Sequence, residues 1–335
     1  MSYRGLKVLV TGADGFIGSH LAEQLVREGA SVTSLALYTG QDRYGWLDDI
    51  ELETRTAMRL VRGDVRDGAM MNRIVADQDV VFNLAALIAI PHSYEAPQSY
   101  IDVNITGTAN VLEAARNHGI RRVVHTSTSE VYGTAQTVPI SEMHPLVAQS
   151  PYAATKIAAD KLAESYALSF GMQVMILRPF NTYGPRQSER AVISTVIRQA
   201  LDPRCDTIRV GDTSPVRDFN YVADTVSAFL AIGITPKIDA GLPYNAGSGH
   251  GATIAETIEL IRAATGTNKP VVNEASRIRP EKSEVRKLIA DSNLLRKATG
   301  WAPKTDLAAG IAQTVGWWRE RIARGLVRND ADYIV

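Results

Sequence analysis

The chain has 335 residues, 45% of them hydrophobic and 21% charged, enough to bury one large or two modest cores. Lys plus Arg and Asp plus Glu both number 36, so no overall field draws the protein to nucleic acid or to an anionic membrane. A single cysteine, Cys205, excludes an internal disulfide framework and a thiolate metal cluster, and reads as a small buried hydrophobe in a reducing compartment.

The opening MSYRGLKVLV runs straight into a strand without a basic and then apolar leader, and no apolar run approaches ~18 residues. A cytoplasmic protein is expected. Leu6 to Val10 is a short apolar run, and residues 16–28 place Phe16, Ile17, Leu21, Leu25 and Val26 at helical spacing. Strand-like runs recur at Val32 to Leu37, Met58 to Val61, Val80 to Leu84, Val123 to Thr126 and Val174 to Leu177. Strands alternating with helices predict an α/β fold built on a doubly wound parallel sheet. After Arg178 the alternation gives way to loops rich in Pro, Gly and Arg, and Tyr221 to Asn245 reads as a helix and strand returning to the sheet. The expected division is therefore 1–178 with 219–247 for the sheet domain, and 179–218 with 248–335 for a smaller C-terminal α/β substrate domain.

Between the first strand and first helix lies Gly12-Ala13-Asp14-Gly15-Phe16-Ile17-Gly18, where glycines let backbone N–H groups approach a pyrophosphate at a helix N-terminus. In that strand–turn–helix setting the pattern defines a Rossmann dinucleotide site, although its Gly-x2-Gly-x2-Gly spacing departs from the commoner Gly-x-Gly-x2-Gly. Gly63-Asp64-Val65 closes the third strand and brings Asp64 toward an adenine amino group, with a turn cap as the simpler reading. The second strand ends Leu35-Ala36-Leu37-Tyr38, without the acid that holds the ribose of NAD and without an arginine before Arg43. NAD is favoured because no immediate cation awaits a 2′-phosphate, and NADP stays open.

Tyr152 and Lys156 stand four apart in SPYAATKIAADKLAESY, on one side of a helix. An ammonium ~5 Å from a phenolate, at an effective dielectric of ~20, contributes roughly 3 kcal/mol and lowers the phenol by about two pH units. A phenol so lowered serves as a base at neutral pH. Thr128-Ser129-Glu130 adds a carboxylate that alcohol oxidation alone does not need.

At these residues the chain resembles the extended short-chain dehydrogenase/reductase family, over nearly its whole length. TGADGFIGSH, GDVRD, NLAA, TSTSEVYG, SPYAATK, RPFNTYGPR and RDFNYVAD carry the resemblance. It narrows to nucleotide-sugar 4,6-dehydratases. LAALIAIPHSYEAPQSYIDVN, RPFNTYGPRQSERAVI and RIRPEKSEV look like the UDP-N-acetylglucosamine 4,6-dehydratases of legionaminic-acid-type pathways. The resemblance implies cofactor contacts at Gly12, Gly15, Phe16, Ile17, Gly18, Asp64, Val65, Leu84, Ala85 and Ala86, with the NAD recycled in place. It makes Thr128 the hydroxyl that bonds the reacting sugar oxygen, Tyr152 the base at O4, and Lys156 the partner of the nicotinamide ribose. Ser129 stands where glucose-specific dehydratases carry an acidic proton donor, as in GDP-mannose dehydratases. Glu130 is then expected both to remove the C5 proton and to return one to the departing O6, with C5 configuration retained.

UDP-glucuronate decarboxylases share the Thr-Ser-Glu triad, so decarboxylation and 4-epimerisation are the alternatives. The run Leu87-Ile88-Ala89-Ile90-Pro91 lacks the decarboxylase pattern, and epimerases usually replace the Ser-Glu pair. A catalytically silent NAD sensor is disfavoured by the retained tyrosine. The nucleotide diphosphate is expected at Asn181, Arg186, Arg217 and Arg279, guanidinium forks suiting phosphate oxygens. Arg190, Ala191 and Val192 resemble the segment that covers the nucleotide base. His92, His125 and His144 lack metal-ligand spacing and read as structural. Apolar faces at 98–117 and 152–169 match the family's four-helix dimer interface, so a homodimer is expected.

Overall fold

Runs that are apolar on both faces can only be satisfied by a sheet covered on both sides, and that is what they build. The computed structural model describes residues 2–277, 280 and 283–327. In chain order its first part comprises β1 (Lys7–Thr11), α1 (Phe16–Arg27), β2 (Ser31–Leu37), α2 (Leu52–Thr56), β3 (Arg59–Gly63), α3 (Gly68–Val75), β4 (Val80–Asn83), α4 (Ile90–Glu95), α5 (Pro97–Tyr100), α6 (Gly107–Asn117), β5 (Arg122–Thr126), α7 (Pro151–Phe170) and β6 (Val174–Pro179). There follow β7 (Asn181–Tyr183), α8 (Val192–Leu201), β8 (Ile208–Val210), β9 (Val216–Arg217), β10 (Phe219–Tyr221), α9 (Val222–Ile234), β11 (Pro243–Ala246), β12 (Ala252–Thr253), α10 (Ile254–Thr265), β13 (Val271–Asn273), β14 (Lys287–Leu288), α11 (Asn293–Thr299) and α12 (Leu307–Ala323).

Seven strands form one parallel sheet in the order β11-β6-β5-β4-β1-β2-β3. The six strands expected from sequence are present, and α9 and β11 are the expected return. Alternate residues serve the two faces: Val8 and Val10 join the core with Leu21, Leu25, Val226 and Phe229, whereas Leu9 joins Val111, Leu112, Ala163 and Ala167. The remaining strands form three small sheets, β10-β7, β12-β9-β14 and β13-β8.

The order reverses between β1 and β4, which opens a crevice at their carboxyl ends. Thr11 fixes its floor. Its hydroxyl donates to Asn83 Oδ1 (2.8 Å) and accepts from the amides of Leu84 and Ala85, both at 3.1 Å.

The helical pattern expected at 98–117 is interrupted by a π-helical turn, Ile101–Thr106. There buried Asn104 reaches sideways: Oδ1 accepts from the Leu87 amide (2.9 Å), and Nδ2 donates to the Leu87 carbonyl and the Thr155 hydroxyl, both at 3.0 Å. The widened turn thus ties the chain after β4 to α7. Among the described residues no helix is long and apolar enough to cross a membrane.

Candidate active site

The glycine turn is shaped by what a side chain would hit. Gly12 has φ +65°, and a Cβ there would lie 2.9 Å from the Ala85 amide nitrogen. A Cβ on Gly18 would fall on the Gly12 carbonyl oxygen. Gly15 N-caps α1 without a side-chain cap, so the first-turn amides point outward with a partial positive charge. Such a cradle fits the pyrophosphate of a dinucleotide.

At the end of β3, Asp64 is engaged by Arg66, whose Nε donates at 2.9 Å and Nη2 at 2.6 Å, and this hydrogen bonding holds the carboxyl below its ordinary range. Val65 is buried in the core, its carbonyl accepting from Asn110 Nδ2 (2.9 Å). At the carboxyl end of β2, Tyr38 and Leu37 are exposed. Nearby, Arg62 pairs with Asp42 and stacks on Tyr44, 4.3 Å from its ring centre.

The chemistry gathers where β5 and α7 meet. After β5 the chain extends through Thr128 (φ −159°) into a 3-10 turn, Ser129–Tyr132, with the Thr128 hydroxyl accepting the Glu130 amide at 3.2 Å. The same side chain acts on the Tyr152 phenol, easing its ionisation. Helix α7 begins at Pro151, capped by Ser150, whose hydroxyl accepts the Ala153 amide at 3.1 Å. Its first turn therefore presents Tyr152, which packs with Ile90 and Tyr100; the two tyrosine rings meet edge to face at 6.3 Å. One turn on, the Lys156 ammonium donates to the Thr126 carbonyl.

The expected lowering of the Tyr152 phenol is overturned. It sits above its ordinary value, chiefly through burial, with Glu130, Tyr100 and Asp160 raising it further against the Thr128 side chain. Desolvation of the phenol is the largest cause, and Lys156 is itself buried: its pKa falls to about 8, with Asp160 opposing the fall. Within the chain alone the phenol is protonated at neutral pH.

The substrate-side residues divide. Asn181 opens β7, and its Oδ1 is buried without a hydrogen-bond partner. Arg217 lies on β9 and donates to Glu284 at 2.8 Å. Arg186, in left-handed backbone at φ +68°, turns back onto α1, pairing with Glu23 at 2.8 Å and reaching Ser19 at 3.4 Å. That guanidinium joins the loop after β7 to the first helix. Arg190 is exposed, and its charge acts on the Tyr100 phenol. Ala191 N-caps α8, of which Val192 is the first residue. Arg279 lies outside the described residues.

Sequence reasoning missed Thr11, Tyr100, Asn104 and Glu284, for which no local pattern exists. It also missed Asp160, which the spacing from Tyr152 and Lys156 could have revealed.

A parallel sheet with a glycine cradle at its switch point and a Thr/Tyr/Lys cluster at the next strand end defines a nucleotide-dependent oxidoreductase-type fold. The comparisons are more specific. Residues 9–314 match the family described as GDP-mannose 4,6 dehydratase, and the chain belongs to that family. It is 34% identical over 320 residues to a dTDP-glucose 4,6-dehydratase of an Actinoplanes species, covering 94% of this chain and 98% of the relative. It is 33% identical to a UDP-glucose 4-epimerase of Mycolicibacterium smegmatis, with 94% and 99% covered. The crystal structure of dTDP-glucose 4,6-dehydratase from Streptomyces venezuelae, with NAD bound, superposes with a TM-score of 0.83 at 30% identity, covering 95% of this chain and 98% of that one.

Proposed function

We propose that the protein is an NAD-dependent nucleotide-sugar 4,6-dehydratase, with UDP-N-acetylglucosamine as its substrate. The observation that carries this reading is Glu130, on the turn beginning at Thr128, whose carboxylate acts on the Tyr152 phenol. Oxidising and re-reducing C4 moves one proton at O4. A second base beside the first matches a reaction in which the C5 proton also moves.

NAD is the cofactor the glycine cradle fits, and when bound it supplies a two-electron acceptor that takes one hydride and gives it back. Bound in its oxidised form it would bring a positive charge, the charge that lowering Tyr152 requires. Thr128 then orients the sugar O4, and Tyr152 takes its proton. The resulting C4 ketone acidifies C5, Glu130 withdraws the C5 proton, and the O6 hydroxyl leaves as water with a proton from Glu130; the hydride taken from C4 would then enter at C6 and one proton, balancing the one Tyr152 took from O4, at C5, which gives the 4-keto-6-deoxy sugar. Ser129, neutral and buried, is no competing acid. Lys156 holds the ribose hydroxyls. Asn181, Arg217 and, from sequence, Arg279 hold the diphosphate; Arg190, Ala191 and Val192 cover the base. The substrate-binding unit is 179–218 with 248–335, and the protein pairs as a homodimer through α6 and α7, where Leu168 and Phe170 are exposed.

The 4-epimerase reading is kept alive by the UDP-glucose 4-epimerase relative, of nearly equal identity and coverage. The two part on the product. Purified protein given UDP-N-acetylglucosamine and no added cofactor should release one water and show a new C6 methyl signal by NMR; inversion at C4 with unchanged mass would make it an epimerase. Glu130→Gln should still oxidise C4, accumulate NADH absorbance and lose dehydration by about 10²–10⁴-fold. Water loss at the wild-type rate removes Glu130 from this role.

A further inference from the structure

Lys156 poses a problem that its known partner does not solve. It is 4% exposed, and the hydrogen bond it makes is to a neutral carbonyl, that of Thr126. A buried ammonium with only neutral partners tends to lose its proton. Titratable and charged groups stand on α7 itself and on elements packed against it. Helix α7 itself supplies Tyr152 and Asp160, β5 supplies His125, the 3-10 turn supplies Glu130 and Tyr132, β6 supplies Arg178, and α5 supplies Tyr100. His125 is no source of charge: burial holds it neutral, and Lys156 and Arg178 oppose its protonation.

We propose that Asp160 is a positioning residue for the reaction, a fixed carboxylate one helical turn beyond Lys156 that keeps the lysine protonated against its burial. The proposal rests on the Tyr152–Lys156 assignment above and extends it. Tyr152, Lys156 and Asp160 stand at i, i+4 and i+8 on α7, so the three form one row along the helix.

Asp160 is only 2% exposed and cannot turn away, because Oδ2 accepts from Ser127 Oγ (2.7 Å), Arg178 Nη2 (2.9 Å) and Arg178 Nε (3.1 Å). Its other oxygen, Oδ1, has no hydrogen-bond partner and stands 3.5 Å from His125 Nε2. Arg178 is anchored in turn: Nη1 donates to the Tyr132 hydroxyl (2.9 Å), which donates to Asn245 Oδ1 on β11 (2.7 Å). A carboxylate needed only to neutralise Arg178 could sit anywhere along that chain. This one sits on the catalytic helix one turn from Lys156, with both side chains buried, where its charge opposes the lysine's loss of its proton.

The test uses the full chain and reads the lysine through cofactor affinity, separately from turnover. NAD affinity of the wild type, titrated by calorimetry across pH once the bound cofactor has been stripped, should break near pH 8. The break should vanish in Lys156→Met, which assigns it. In Asp160→Asn it should move down by about one pH unit or more, and the high-pH limb of kcat should move with it; Asp160→Glu should restore most of the shift. A role in stability alone would lower Tm and leave the break in place.

If Asp160→Asn does not fold, because Arg178 is left buried without a counter-charge, the double variant Asp160→Asn/Arg178→Met removes both charges and should show the same direction of shift. A break that stays near pH 8 in either variant overturns the proposal. Turnover of UDP-N-acetylglucosamine by the wild type is scored apart: its absence would overturn the proposed function while the shifted break still identified Asp160 as the lysine's partner.

Discussion

The glycine turn after β1 and the arginine of β9 are both assigned to phosphate, yet they are built in opposite ways. At the turn the donors are backbone amides at the start of α1, no side chain caps them, and the Gly12 and Gly18 positions exclude any Cβ. On β9 the donor is a guanidinium that already carries the Glu284 carboxylate. The first site is fixed by sterics before a ligand arrives. The second has to exchange one anion for another, so its affinity is set by a difference between two ion pairs. Tight, permanent binding suits a recycled cofactor, and exchangeable binding suits a substrate that must leave as product.

The largest effect should come from breaking the rigid side. Gly18→Ala sets a methyl group against the Gly12 carbonyl and should weaken NAD binding by about tenfold to 100-fold in calorimetry, with UDP affinity unchanged. Equal loss for both ligands would mean that the two sites are not independently built. A smaller effect should come from the exchangeable side. Glu284→Gln removes the carboxylate charge that Arg217 meets and should tighten UDP binding by about threefold to tenfold, while unchanged or weaker binding would show that Glu284 orients the arginine instead of competing for it.

The smallest effect concerns the strap joining the two sides. His20, on α1, hydrogen-bonds the Pro185 carbonyl at 3.0 Å, and burial followed by Arg186 lowers its pKa from 6.5 to about 4. The unfolded chain binds that proton near pH 6.5 and the folded one only near pH 4, so this contribution to stability is whole above pH 6.5 and is lost as pH falls toward 4. Replacing His20 with Gln should flatten the decline in Tm over that window. An identical slope in wild type and variant would assign the acid sensitivity to other groups.

The glycine turn was legible because its information is local. A strand, a tight turn and a helix follow one another within the chain, and the side-chain period of each is written in the order of residues. The Tyr152–Lys156 pair was legible for the same reason, since four residues on a helix make one face. The partners were not: Arg178 meets Asp160 across 18 positions, Arg217 meets Glu284 across 67, and Arg186 meets Glu23 across 163. Arg186 shows the consequence, because nothing in its motif reports the carboxylate of the first helix that it meets.

By itself, then, the order of residues determined the doubly wound sheet, the dinucleotide cradle and the identity of the Thr128, Glu130, Tyr152 and Lys156 cluster, because periodicity and backbone dihedrals act between near neighbours. Tertiary structure alone decided which charges meet and what they cost. The Tyr152 phenol lies above its ordinary value and Lys156 below its own because both are buried, and burial belongs to the packed chain as a whole.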